Sequence, residues 1–236
     1  MKLKIFKTAT ETATALIERI EELMSLDTSK NYHIAFSGGS TPALMFDVWA
    51  NEYKDSTDWK RLFIYFVDER AVPPEDSDSN YGMMKKLLLD HVPMKESQIF
   101  RIHGELDPIE EAEAYSKICL SKMPSVNGFP QFDLVLLGAG DDGHTSSIFP
   151  GQEEHLTSAE PFVAAYNPYS GQKRIAMTGN TIINAKKIIF LITGKNKEDV
   201  VADIYSSGDT GPAAYVAHHS TNVELFIDES ASSKLK

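Results

Sequence analysis

The 236-residue sequence holds a single cysteine, Cys119, which excludes an internal disulfide framework and a cysteine zinc cluster and fits a reducing compartment. It is also poor in positive charge. With 23 Lys and Arg against 34 Asp and Glu the net charge is −11, so there is no broad surface for nucleic-acid phosphates, and an anionic ligand must meet a local basic spot. No run approaches the roughly 20 apolar residues of a membrane span. The opening "MKLKIFKTATETATALIERIEELM" lacks the continuous apolar stretch of a secretory signal and reads as a strand followed by an amphipathic helix. The expectation is a cytoplasmic protein with neither membrane nor nucleic-acid partner. The seven histidines, at 33, 91, 103, 144, 155, 218 and 219, form no H-E-x-x-H or H-x₃₋₅-H pair, so no metal is expected.

What is present is a regular alternation. Short apolar runs, "YHIAF" (32–36), "LFIYFV" (62–67), "FDLVLL" (132–137), "RIAMT" (174–178), "KIIFLIT" (187–193) and "NVELFID" (222–228), read as strands, several continuous enough to be covered on both faces. Between them "PALMFDVWANEY", "SNYGMMKKLLLDHV", "DPIEEAEAYSKICLSKM" and "NKEDVVADIYSS" have helical spacing, and Cys119 reads as an inert thiol on a helix face. Pro42 and Pro108 suit first-turn positions, with Thr41 and Asp107 as caps. These patterns predict one three-layer α/β domain over residues 1–236. Its sheet is mostly parallel and Rossmann-like, with helices on both faces. Ligands of such sheets bind beyond the carboxyl ends of the strands.

Four strand-end segments therefore matter. In "HIAFSGGSTPALMF" the glycines let backbone N–H groups approach a ligand, and the following helix start favours an anion, although the same residues also make a tight capped turn. "FIYFVDERAVPPEDSDSNYG" brings Asp68, Glu69 and Arg70 to the sheet mouth, where they can orient a hydroxylated anion or simply pair with each other. Its Asp76-x-Asp78-x-Asn80 tract is no calcium loop, because Tyr81 stands in place of the turn glycine and Leu87 in place of the bidentate Glu. Ser79 or Asn80 capping the next helix explains the polarity.

The third segment, "FDLVLLGAGDDGHTSSIFPG", contains G-x-G-x-x-G at Gly138, Gly140 and Gly143. A dinucleotide fingerprint would pass into a long helix, yet Pro150-Gly151 interrupts any helix here, and Asp141 and Asp142 would oppose phosphates. The alternatives are a turn that presents His144, backed by Asp142, as a general base, or a loop histidine satisfied by its neighbours. "GHTSSIF" is not a G-x-S-x-G nucleophile elbow. The fourth, "KRIAMTGNTIINAKKIIFLITGKNKEDVV", places Arg174 at the start of one strand and Lys197 at a helix start after another.

Taken in order and spacing, "SGGSTP", "VDERAVPPEDSDSN" and "LGAGDDGHTSSIFPG" resemble the glucosamine-6-phosphate deaminase/6-phosphogluconolactonase family, on its lactonase side. "RIAMTGNTIINAKKIIFLITGKNK" and "GPAAYVAHHSTNVELFIDESA" resemble that family's C-terminal third, so the likeness covers nearly the whole chain. The resemblance implies a fold like that of the deaminase and hydrolysis of 6-phospho-D-glucono-1,5-lactone in the oxidative pentose phosphate pathway. It implies no metal or organic cofactor and a monomer or weak homo-oligomer. By this likeness His144 activates water beside Asp142. Gly39, Ser40, Thr41, Arg70 and Lys197 bind the phosphate or sugar acid, Arg174 adds a contact, and Asp68 lines the sugar pocket. Two positions separate it from the deaminases: Phe149 stands where they carry a Glu, and Arg70 where they carry a Tyr. Ala139 and the Ser146-Ser147 pair depart from the usual residues and bear on pocket shape. A non-catalytic sugar-phosphate sensor is the remaining alternative, but the sequence shows no basic helix-turn-helix segment.

Overall fold

The computed structural model describes residues 1–206 and 208–235; Ser207, the last residue of the helical pattern "NKEDVVADIYSS", and Lys236 lie outside it. The chain runs β1 (Lys2–Phe6), α1 (Ala9–Ser25), β2 (Tyr32–Phe36), α2 (Ser40–Glu52), β3 (Leu62–Phe66), β4 (Asp68–Arg70), α3 (Asn80–Leu87), α4 (Pro108–Lys122), β5 (Ser125–Val126), β6 (Phe129–Pro130), β7 (Leu134–Leu137), β8 (Phe162–Tyr166), β9 (Lys173–Met177), α5 (Gly179–Ile183), β10 (Ile188–Ile192), α6 (Glu198–Tyr205), α7 (Pro212–His219) and β11 (Val223–Asp228).

Six strands form a wholly parallel sheet in the order β1-β11-β10-β7-β2-β3. The residues of β7, β10 and β11 are all buried, as strands covered on both faces must be. Helix α1 shows why these helices form and dock. Thr8 accepts from the Glu11 N–H as its N-cap, and Ala13, Leu16, Ile17, Ile20 and Met24 make one buried stripe at helical spacing. That stripe packs with α2 and against β10 and β11. Tyr115 of α4 fixes the other end of the molecule through two bonds, accepting from the Phe66 N–H at 3.0 Å and donating to the Phe100 carbonyl at 2.8 Å.

Two sequence expectations change, and one strand was not foreseen. "RIAMT" is a strand, but β9 belongs to a second, antiparallel sheet, β4-β9-β8, and not to the parallel one. β3 feeds this sheet directly: Val67 N–H still bonds to Phe36 in the first sheet, while the Val67 carbonyl already accepts from Met177 in the second. Strand β8, "FVAAY", went unread. Finally, Thr41 is not the cap of α2. The helix starts two residues earlier, with Gly39 at the cap position and no side-chain cap, and the Thr41 hydroxyl turns to Thr193 at 3.1 Å. Asp107 and Ser79 do cap, accepting from the first backbone N–H groups of α4 and α3.

The strand order reverses between β2 and β7. From β2 the chain continues outward to β3; from β7 it leads through β10 to β11 on the other side. The segments that follow these two strands therefore diverge and leave a crevice at the carboxyl edge of the sheet.

Candidate active site

That crevice is a cavity of about 370 Å³, lined by the ends of β2, β7 and β10, by the starts of α2 and α3 and by the second sheet. It gathers eight of the nine residues singled out in the sequence: Gly39, Ser40, Thr41, Asp68, Arg70, His144, Arg174 and Lys197. Asp142, the ninth, stands behind His144 and does not line the cavity.

The loop after β7 explains its own glycines. Gly140 has no room for a side chain: a Cβ there would meet His144 Nδ1 at 2.1 Å and Asp142 Oδ1 at 2.6 Å. Gly143 sits at φ +83°, where glycine is favoured. The Gly140 N–H bonds to the His144 carbonyl and the Thr145 hydroxyl to the Gly138 carbonyl, closing the loop into a tight turn. The turn presents a dyad. Asp142 Oδ1 lies 2.6 Å from His144 Nδ1 and also accepts the His144 N–H at 3.1 Å. A carboxylate can only accept, so Nδ1 carries the proton and Nε2 is left with the lone pair. Burial opposes the charge on Asp142, but His144 outweighs it and holds the carboxyl below its ordinary pKa. Phe149 supports the imidazole from the side, ring centroids 4.4 Å apart.

Two serines follow in left-handed conformations, Ser146 at φ +52° and Ser147 at φ +55°, an arrangement that costs energy for residues other than glycine. Their hydroxyls offset the cost. Ser146 donates to the Met177 carbonyl at 2.8 Å, and Ser147 makes a short bond to Asp68 Oδ2. The turn is thereby tied to β4 and β9 of the second sheet.

The cations form two groups. Arg70 and Arg174 face each other across the β4/β9 ladder. The Nε of each is buried without a partner among the described residues, and burial together with the neighbouring Arg70 charge pulls the Arg174 pKa down. Two guanidiniums held this way favour an anion between them. Lys197, across the mouth, donates to the Ala139 carbonyl at 2.9 Å and pairs with Asp141 at 2.5 Å, which lowers the Asp141 pKa. Asp141 was read only as unfavourable to a dinucleotide; it is the counter-ion of Lys197. The first turn of α2 adds backbone N–H groups, since the first intrahelical bond, from Ala43 to Gly39, leaves the N–H groups of Ser40 and Thr41 free of helical acceptors.

Sequence reasoning missed two residues. Asn80 was read as a candidate cap, yet its side chain lines the cavity and donates to the Asp68 carbonyl at 2.9 Å. Ser147 was read as pocket shape and is the partner of the Asp68 carboxylate. The signal available for both was their place in the polar segments that lead from a strand to the next element.

A carboxylate-held imidazole on one wall and clustered cations on the others make this crevice the candidate active site, with a chemistry suited to a small anion. The chain belongs to the glucosamine-6-phosphate isomerase/6-phosphogluconolactonase family, whose model matches residues 7–226. It is 40% identical over 206 residues to the 6-phosphogluconolactonase of Treponema pallidum, covering 87% of this chain and 85% of that protein. It is 36% identical to that of Haemophilus influenzae, covering 93% and 95%. Among solved structures, 6-phosphogluconolactonase from Trypanosoma brucei superposes with a TM-score of 0.90 at 28% identity, covering 100% of this chain and 98% of that one. A monomeric glucosamine-6-phosphate deaminase shares the fold, with a TM-score of 0.82 at 22% identity over 99% of both chains. Within the family the chain falls with the lactonases, which are hydrolases. No helix among the described residues is long and apolar enough to cross a membrane.

Proposed function

We propose that the chain hydrolyses 6-phospho-D-glucono-1,5-lactone to 6-phosphogluconate, the lactone-opening step of the oxidative pentose phosphate pathway. The observation that carries the reading is the Asp142–His144 dyad at 2.6 Å, with its imidazole on the wall of a cation-lined cavity.

In this mechanism Nε2 of His144 takes a proton from water as the water oxygen attacks the lactone carbonyl. Asp142 stabilises the imidazolium that forms. The tetrahedral oxyanion collapses by breaking the bond between the carbonyl carbon and the ring oxygen, and His144 returns its proton to that oxygen as it leaves. A lactone is an activated ester, so general-base help of about 10²–10⁴-fold suffices without a covalent intermediate. Arg70, Arg174, Lys197 and the Gly39-Ser40-Thr41 turn hold the phosphate and the developing carboxylate, and Asp68 accepts from sugar hydroxyls. Phe149, buried against the imidazole, supplies no proton where deamination would need one. The enzyme is read as cytoplasmic, a monomer or weak homo-oligomer, acting without a metal or organic cofactor.

The test is acid release from freshly generated lactone in weak buffer, corrected for spontaneous hydrolysis, with His144→Ala alongside. Fast release that the variant loses supports the reading. No release above background, followed by ammonia release from glucosamine 6-phosphate, would replace it with deamination.

A further inference from the structure

Asn167 follows β8 directly, and its half-buried side chain lines the cavity. The amide has one orientation. Its Oδ1 accepts the backbone N–H groups of Tyr169 at 2.8 Å and Ser170 at 3.2 Å, closing an Asx turn at the tip of the β8–β9 hairpin. The amide nitrogen could not accept them, so Oδ1 faces the turn and Nδ2 faces away from it. Nδ2 meets no acceptor among the described residues and, unlike the Nε atoms of Arg70 and Arg174, is not buried.

The hairpin is fixed beside the two guanidiniums. The Asn167 N–H donates to the Gln172 carbonyl at 2.9 Å, and Gly171, at φ +71°, returns its N–H to the Asn167 carbonyl at 2.8 Å. The Gln172 side chain donates to Asp78 Oδ2 at 3.0 Å, and the Asp78 carbonyl in turn accepts from Arg70 Nη1. In the ladder Arg70 is opposite Arg174 and Arg174 is opposite Ala165, so the three share one face of the sheet. Side chains alternate along a strand, and Asn167, two residues beyond Ala165, comes back to that face diagonal to Arg174.

Residue type then decides what Nδ2 can hold. It offers donors only, the two guanidiniums beside it draw an anion, and an anionic oxygen is an acceptor. Aspartate would make the same turn with the same oxygen, but it would present a second carboxylate oxygen to the anion. We infer that Asn167 is a substrate-binding residue whose amide nitrogen donates to the anionic group held between Arg70 and Arg174. The inference rests on the lactonase reading for which molecule carries that group, as the phosphate or the carboxylate of 6-phosphogluconate.

The experiment follows the side-chain amide signals of isotope-labelled protein by NMR, that of Asn167 being the one missing from Asn167→Asp. On titration with 6-phosphogluconate it is expected to move downfield, and parallel titrations with inorganic phosphate and with gluconate show which end it meets. A signal that none of these ligands moves overturns the inference. Calorimetry supplies the affinities. Asn167→Ala should weaken 6-phosphogluconate binding by about tenfold, and Asn167→Asp, which keeps the turn and opposes the anion, by more than that. Wild-type affinity in Asn167→Asp would make the residue a turn former alone, and wild-type affinity in Asn167→Ala would trace the aspartate effect to charge alone; either result overturns the inference. A chain that fails to hydrolyse the lactone, yet shows the Asn167 signal moving with phosphate, would overturn the lactonase reading and leave the Asn167 assignment standing.

Discussion

Gly140 and His144 are in contact through the space a side chain would fill, with the imidazole Nδ1 2.1 Å from where a Cβ would lie. The glycine is therefore part of the dyad's geometry. Gly140→Ala is expected to push the imidazole off Asp142 and to lower kcat by roughly 10²-fold, the scale of a 1 Å misplacement. KM should change little, because the cations are untouched. Steady-state kinetics on the lactone decide it, and a near wild-type kcat would show that the turn absorbs the methyl group.

Lys197 shares its charge between Asp141 and the cavity. Lys197→Ala should weaken binding of 6-phosphogluconate by about tenfold or more, the worth of one charge-assisted hydrogen bond. Asp141→Asn removes the competitor and should tighten binding by a few-fold at low salt. Opposite signs in calorimetric titrations support the assignment; unchanged affinity in both would place Lys197 outside the anion site.

Ser147 combines a left-handed backbone with a bond to Asp68. Ser147→Ala loses the bond and keeps the backbone cost, whereas Ser147→Gly loses the bond and relieves it. Glycine should therefore be more stable than alanine by about 1 kcal/mol in urea denaturation. Both should raise KM, since Asp68 is released in each. A more stable alanine variant would remove strain from the account.

Far from the site, Glu224 is 1% exposed and bonded to Arg19 and Lys187. Burial alone would raise its pKa, but the two cations overcome this and hold it at about 2. The folded pKa lies below the ordinary 4.5, so the stabilisation is fully present above about pH 4.5 and is lost as the pH falls towards 2. Glu224→Gln should cost about 3 kcal/mol at neutral pH by stranding Lys187, with the gap from wild type closing as the pH falls from 4.5 to 3. Urea midpoints across that range test it, and a gap that stays constant would exclude the ion pair as its source.

The parallel strands were legible because burial on both faces leaves continuous apolar runs, as in "IIFLI" of β10. The second sheet was not. "RIAMT" has the same local pattern as a parallel strand, and what assigns it to another sheet is its register with Asp68–Arg70, more than 100 residues earlier in the chain. Strand β8 was hidden by the polar stretch before it. At the site, Asp142 and His144 were legible from two-residue spacing and turn glycines, which are local. Asn80 and Ser147 were not, because their partner Asp68 is reached only through the fold. Thr41 looked like a cap by residue type, yet Gly39 at φ +109° lets the helix begin sooner.

The pairing of β1 with β11, Leu3 opposite Leu225 and Ile5 opposite Ile227, also sets an order of events during synthesis. β1 lies at the sheet edge and, among the described residues, pairs with no strand but β11, so when it leaves the ribosome that partner is still some two hundred codons away. The central strands β2, β3 and β7 can assemble while β1 waits, and the crevice between β2 and β7 can take shape before the outer strand is fixed. Docking of β1 is then a late, long-range step, of the kind that slows maturation and leaves a strand open to mispairing until translation is nearly done.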